Sequence, residues 1–162
     1  MRLVEEHVRL ENAHDLSGLM KTFGDHAAYD DEPWDDRRRG IGEVRAYYET
    51  LLAAMPDLHI EVEQSHQSEE TVILEVIITG THLGTWRQVP PTGRRLKFPL
   101  CGIYTFDDRD KIAGEKIYYD RVEVLRQLGL GYDPATPFGS FMTALSHPFT
   151  IAKAVARKLF VR

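Results

Sequence analysis

TGTHLGTWRQVPPTGRRLKFPLCGIYTFDDRDKIAGEKIYYDRVEVLRQLG, residues Thr79 to Gly129, decides the fold, because it reads as strands, tight turns and a helix in one run. An apolar run ending at Gly80 leads into Thr81-His82, and Pro90-Pro91-Thr92-Gly93 is a turn by composition. Proline presets φ there and glycine tolerates positive φ. A second strand is expected from Arg94 to Phe106. Asp107-Asp108-Arg109-Asp110 is too polar to bury and marks another reversal, after which a third strand runs from Lys111 to Tyr119. Asp120 then stands at a strand-to-helix junction, with Val122, Leu125, Leu128 and Leu130 at the spacing of a short amphipathic helix.

Working outward, Leu3, Val8, Leu10, Leu16, Leu19, Met20 and Phe23 suggest a first helix that Gly24 ends. His26 to Tyr29 is a short apolar piece running into Asp30, Asp31, Glu32, Trp34, Asp35 and Asp36, which face Arg37, Arg38 and Arg39 in sequence. Mixed charge of this kind is expected to be a solvated, salt-bridged loop rather than a metal site. Ile41, Val44, Tyr47, Tyr48, Leu51, Leu52 and Met55 recur at helical steps until Pro56 stops them. Leu58, Ile60 and Val62 alternate with polar residues in a strand, and Thr71 to Gly80 forms a more apolar one with Val72, Leu74, Val76, Ile78, Gly80 and His82 on one face. Glu75 falls on the opposite face and is expected to point outward.

Helices first and short-turn strands afterwards give an α+β domain over residues 1–131, with helices covering one face of an antiparallel sheet. Residues 132–162 read as a separate segment: an irregular arm rich in proline, then a basic helix from Phe149 to Arg162. That helix is expected to pack Ile151, Val155, Leu159 and Phe160 on its own domain or a partner subunit rather than lie on a membrane.

The chain has 162 residues and a formal net charge of -5, which gives no electrostatic reason to expect nucleic acid. Cys101 is the single cysteine, so no intrachain disulfide can form, and beside Leu100 it reads as an inert buried thiol. An N-terminus interrupted by acids and histidines lacks the core of a signal peptide, and no run reaches the ~20 apolar residues of a membrane span, so a cytoplasmic protein is expected. His7 and His14 share a helix face without a partner at ligand spacing, so no metal is expected.

Gly80-Thr81-His82 with Gly84, Pro91-Thr92-Gly93-Arg94, and Tyr119-Asp120 followed by Leu125 and Gln127-Leu128-Gly129 occur here in one order. Arg39-Gly40, Tyr47-Tyr48 and Met55-Pro56-Asp57-Leu58 precede them. In this combination residues 1 to about 130 resemble the SnoaL-like polyketide cyclases, the ester cyclase branch of the nuclear transport factor two-like superfamily. The resemblance implies a cone-shaped barrel, a curved antiparallel sheet covered by N-terminal helices around an apolar pocket. It also implies a cofactor-independent enzyme in which Asp120 is the general acid/base of an aldol closure or related isomerisation on an apolar, carbonyl-containing small molecule. His82 is the matching candidate for stabilising an enolate, with Tyr118 or Tyr119 as further donors. Trp34 and Tyr104 supply aromatic surface for the pocket wall.

Other readings stand beside these. An aspartate directly before a helix is also a natural N-cap, and a lone histidine at a strand end is commonly structural. The fold also hosts non-catalytic ligand-binding or dimerisation modules, and a homodimer through the outer sheet face is expected. The epoxide hydrolases of the fold need an Asp-Arg-Asp set holding water, which cannot be assembled around Asp120 from sequence. The chain departs from the family at Trp86-Arg87-Gln88-Val89 and at Asp108-Arg109-Asp110, both at turns and pocket rims.

Overall fold

Alternation along the long strands sets which face of the sheet is buried. The computed structural model describes residues 2–160, without the side chains of Leu159 and Phe160. In β4 (Thr71–Thr81), Val72, Leu74, Val76 and Ile78 are buried while Glu75 points out to His66, as the period of two requires. β4 lies between β3 (His59–Gln67) and β5 (Arg95–Phe106), and β6 (Ile112–Tyr119) follows β5. These strands form antiparallel ladders, Leu100 facing Tyr119 and Tyr104 facing Glu115. In β6 it is Glu115, Ile117 and Tyr119 that face inward, whereas Tyr118 is 43% exposed.

Two further strands complete the sheet. β1 (Phe23–Asp31) pairs in parallel with β6, and β2 (Asp36–Arg39) hairpins back on β1 at the edge. The order is β2-β1-β6-β5-β4-β3, so the curved sheet is open at both edges and carries one parallel pairing that alternation within strands cannot reveal. β1 and β6 lie side by side because α3 (Ile41–Ala54) carries the chain from the β2 edge to the far edge. α1 (Arg2–Asn12), α2 (Leu16–Met20) and α3 supply Val4, Val8, Leu19, Val44 and Tyr48 to the same core as Leu74, Leu96 and Ile117. The architecture is α+β, six α-helices and a six-stranded curved sheet among the described residues, wrapped around an apolar pocket.

Three local expectations are corrected. The first helix is two helices: His14 takes a φ of 54° and Asp15 caps α2 by accepting from the Gly18 amide at 2.9 Å. The Asp30–Arg39 cluster is not a solvated loop throughout, because strand pairing carries Asp31 to full burial. The remaining charges do pair as expected, Arg37 with Glu32 and Arg39 with Asp30. The arm after residue 131 contains α5 (Pro137–Ser146), because Thr136 caps it and Pro137 occupies the first turn, where a missing N–H costs nothing.

α6 (Pro148–Phe160) packs against α5. Phe138, Phe141, Leu145 and Phe149 are 63–89% exposed and Val155 is 54% exposed, so the expected burial of α6 against the domain is not seen. Ile151 is half-buried, and the side chains of Leu159 and Phe160 lie outside the described residues. No described helix is long and apolar enough to cross a membrane.

Candidate functional site

Between α3 and the concave face of the sheet lies a cavity walled by Leu51, Met55, Leu74, Val76, Phe98 and Ile117. Its free volume is ≈ 50 Å³. That is room for a few waters, so a larger ligand must displace side chains. Polar side chains enter this apolar wall in two groups: Tyr47 and Tyr119, with Asp31 behind them, and Glu11 and Glu115, with His7 behind them.

Asp31, the last residue of β1, is fully buried. Its Oδ2 accepts from Arg87 Nη2 and from the phenols of Tyr47 and Tyr119, each at 3.3 Å. Its Oδ1 has no hydrogen-bond partner. Burial raises the Asp31 carboxyl above its ordinary range even against the opposing pull of the Arg87 charge. Asp36 shares the same guanidinium, but hydrogen bonds from Arg38 and Arg87 outweigh its desolvation and hold it below its usual value. An Asp31–Arg87–Asp36 set therefore exists, assembled away from Asp120. Tyr29, Tyr47 and Tyr119 line the cavity beside it, and burial raises all three phenols, which keeps them protonated donors.

Arg87 reaches this position through an unusual turn. Trp86 and Val89 exchange backbone hydrogen bonds at 3.1 and 2.8 Å, and the two residues between them take positive φ, 52° at Arg87 and 63° at Gln88. Consecutive non-glycine residues in this region store strain, which surrounding contacts must offset. The Arg87 guanidinium lies over the rings of Trp34, Tyr47 and Trp86 at 5.4–5.8 Å, in cation–π geometry. The loop is anchored where the Leu83 and Gly84 amides both donate to the Ala54 carbonyl. A Cβ at Gly84 would lie 2.4 Å from the Ala53 carbonyl oxygen, so this approach requires glycine.

The second cluster is deeper. His7 on α1 is fully buried. The Thr22 hydroxyl donates to the Leu19 carbonyl at 2.6 Å, so at 2.8 Å it accepts from His7 Nδ1–H. His7 Nε2 then faces Glu115 at 3.4 Å and Glu11 at 3.7 Å. Glu115 also accepts from Tyr48 at 2.7 Å and Tyr104 at 3.2 Å. Burial, reinforced by the Glu115 charge, pushes Glu11 well above the usual carboxylate range. Glu11, Glu115 and Tyr104 all line the cavity.

The residues expected from sequence are distributed as follows. Tyr104 and Tyr119 line the cavity, but Tyr118 faces outward and Trp34 lies behind Trp86, 5.9 Å between ring centroids. Asp120 is exposed and caps α4 (Arg121–Gln127), accepting from the Val122 and Glu123 amides at 2.8 and 3.2 Å. It borders an open groove with Glu63, Glu75 and Tyr118 on the outer face of the sheet. His82 is buried outside the cavity lining and pins the β4–β5 loop. Its Nδ1 accepts from the Thr92 amide at 3.2 Å, and its backbone bonds Arg94 and Gly93. Desolvation lowers its pKa and keeps it neutral. The structure does not bring Asp120 and His82 together around the cavity. Cys101 is half-buried on the outer face, where burial raises its thiol.

Sequence reasoning missed Asp31, Arg87, His7, Glu11 and Glu115. Two signals for the first pair were present: the departure at Trp86–Val89 and the excess of acids before Arg37. His7 stood on an apolar helix face, and the inward face of β6 carried Glu115.

Known proteins resemble this chain as follows. A comparison with curated protein sequences finds no significant match. Among solved structures, AclR from Streptomyces galilaeus, whose assignment as a hydroxylase is provisional, is 30% identical with a TM-score of 0.70, covering 82% of this chain and 85% of its own. IdmH from Streptomyces antibioticus, provisionally a polyketide cyclase, is 21% identical with a TM-score of 0.67 over 79% of this chain and 96% of its own. A Catenulispora acidiphila protein with a ketosteroid isomerase-like fold is 16% identical with a TM-score of 0.68, over 79% of this chain and 92% of its own. The family model for SnoaL-like polyketide cyclases matches residues 1–128, and the chain belongs to that family.

Proposed function

We propose that the protein is a cofactor-independent acid/base enzyme of the cyclase or isomerase type, acting on an apolar small molecule that contains a carbonyl, with Asp31 as the base. Family membership supports the reaction type. The observation that carries the assignment to Asp31 is its unpartnered Oδ1, buried beside phenols that line an apolar cavity.

In this reading Oδ1 takes a proton from the carbon next to the substrate carbonyl, and the C–H electron pair moves into the enolate. A carboxylate in an apolar site is more basic than one in water, because its charged form is poorly solvated. The phenols of Tyr29, Tyr47 and Tyr119 bond one another or Asp31 at 3.3–3.4 Å, long enough for an enolate oxygen to compete for their protons. The enolate carbon then attacks a second carbonyl or is reprotonated elsewhere, and Asp31 returns its proton to the product. Arg87 holds Oδ2 and leaves Oδ1 available. The test is exchange of the α-protons of 2-tetralone in D₂O followed by NMR. Saturable acceleration whose rate rises through a pKa above the ordinary aspartate range supports the reading, and no acceleration over buffer contradicts it.

The Asp31–Arg87–Asp36 set favours one second reading, hydrolysis of an epoxide. Oδ1 would take a proton from water as the water oxygen attacks carbon, and a cavity phenol would protonate the departing oxygen. Turnover of styrene oxide without α-proton exchange would select it.

A further inference from the structure

α5 and α6 take no part in the chemistry assigned to Asp31, yet they gather the exposed apolar surface of the chain. Eleven large apolar side chains are exposed among the described residues, and seven of them fall between Leu130 and Val155. We infer that the helix pair is a membrane-surface anchor, lying on a bilayer with anionic headgroups so that the phenylalanines of α5 enter the hydrocarbon and the cations of α6 meet the headgroups. This binding is independent of the reaction assigned to Asp31.

The pattern begins in the sequence. No Asp or Glu follows Asp133, so residues 134–162 carry Lys153, Arg157, Lys158 and Arg162 and no negative charge. Taking these four positive charges from the total of -5 leaves -9 on residues 1–133. The net charge of the whole chain speaks against anionic lipid, but its distribution speaks for it, because at physiological salt an acidic domain is screened beyond about 8 Å. α5 contains no charged residue at all. Its Phe138, Phe141 and Leu145 recur at i, i+3 and i+7 on one face and are 63–65% exposed. In α6, Ile151 and Val155 share one side, and by the helical period Lys153 and Arg157 stand nearly opposite them. An apolar face set against a basic one is the make-up of an interfacial helix. The helices have 10 and 13 residues, roughly 15 and 20 Å, so they lie in the surface and cannot cross ~30 Å of hydrocarbon.

The base of the helix pair is built, not frayed. The Thr136 hydroxyl accepts from the Gly139 amide at 3.0 Å, and a Cβ at Gly139 would lie 1.8 Å from the Asp133 carbonyl oxygen, so the turn into α5 requires glycine. Tyr132 packs edge-on against Phe138, 5.7 Å between ring centroids. Asp133, the last acid, pairs with Arg126 at 3.7 Å, which balances its charge before the helices begin. Surfaces of a second copy are poorer mates. Two helix pairs face to face would bring Lys153, Arg157 and Lys158 of both copies together with no acid between them. The groove on the outer sheet face offers Glu63, Glu75 and Asp120 but one large exposed apolar side chain, Tyr118, against five on the helix pair. A bilayer supplies hydrocarbon for the phenylalanines and negative charge for the cations at once.

The test is co-sedimentation of the full chain with vesicles of phosphatidylcholine alone or with about one third phosphatidylglycerol, at physiological salt. A cation at such a surface is worth about fivefold in partitioning, so wild type is expected to bind the anionic vesicles more than about 10-fold more tightly than the neutral ones. Replacing the cations together, Lys153→Gln with Arg157→Gln and Lys158→Gln, should remove most of that preference. Phe138→Ser with Phe141→Ser should weaken binding to the anionic vesicles by more than about 10-fold. All five side chains are exposed, and circular dichroism with melting temperature establishes that the variants fold. Folded wild type that binds neither vesicle or both equally, binding that the phenylalanine variant retains, or a preference that the glutamine variant keeps overturns the inference. Sedimentation velocity reads the rival occupant: a wild-type dimer that Phe138→Ser with Phe141→Ser disperses, without vesicle binding, gives the surface to a second copy instead.

Discussion

Asp31 and Asp120 begin from the same local situation and end in opposite ones. Asp31 is the last residue of β1 and Asp120 the first residue after β6, and these strands are parallel neighbours. Each precedes a helical turn. After Asp120 the chain forms α4, whose free amides claim the carboxylate, and the residue stays in water. After Asp31 comes only a 3₁₀ turn, Glu32–Trp34, and the Asp31 side chain makes no capping bond. Its carboxylate turns inward, where an arginine from a distant loop meets it. An aspartate at a strand-to-helix junction is therefore a cap or a functional group according to two things outside it: whether the next residues offer free amides, and whether a cation arrives from elsewhere.

The contrast can be broken at its largest expected effect by removing that cation. Arg87→Met should destabilise the fold by about 3–5 kcal/mol in urea unfolding, because it leaves Asp31 buried without its counter-ion. Adding Asp31→Asn should recover part of the loss. A single variant as stable as wild type would mean that the pair does not carry Asp31's burial.

A smaller effect should appear at the deeper cluster, at Glu11, as a pH dependence. Glu11 is raised in the fold above its ordinary 4.5. Its contribution to stability is therefore fully present below about pH 4.5 and is lost as pH rises through the folded value. Glu11→Gln lacks that loss, so its stability relative to wild type should improve with rising pH in melts between pH 4.5 and 8. A difference independent of pH would show that Glu11 titrates normally.

At Asp120 the expected cost is that of a cap alone. Asp120→Ala should lose about 1 kcal/mol, and Asp120→Asn close to nothing, since asparagine caps as well. The smallest effect is expected at the far end. Because Phe138, Phe141, Leu145 and Phe149 are exposed, truncation after Gly131 should leave the melting temperature unchanged, and a clear drop would place α5–α6 in the stability of the domain.

Much of the fold was legible because period-two alternation and turn chemistry are local properties. The burial of Val72, Leu74, Val76 and Ile78, the outward Glu75, and α3 from Ile41 all follow from spacing. β2 was not legible, since Asp36–Arg39 is entirely charged and forms a strand only by pairing with β1. The site was harder still. Asp31 and Arg87 are 56 residues apart, and their meeting depends on a turn with two positive φ angles that no proline or glycine announces. His7, Glu11 and Glu115 converge from α1 and β6 and looked like separate, ordinary residues. Charge in a run of mixed sign suggested solvent, and for Asp31 packing outweighed that rule.

In the proposed reaction the proton passes through Asp31 and not Asp120. This is tested most directly by measuring 2-tetralone α-proton exchange side by side in wild type, Asp31→Asn and Asp120→Asn, each checked for folding by circular dichroism. The expected result is a loss of about 10²–10⁴-fold for Asp31→Asn, the contribution of a general base, with Asp120→Asn at the wild-type rate. Exchange that survives in Asp31→Asn and collapses in Asp120→Asn would contradict it.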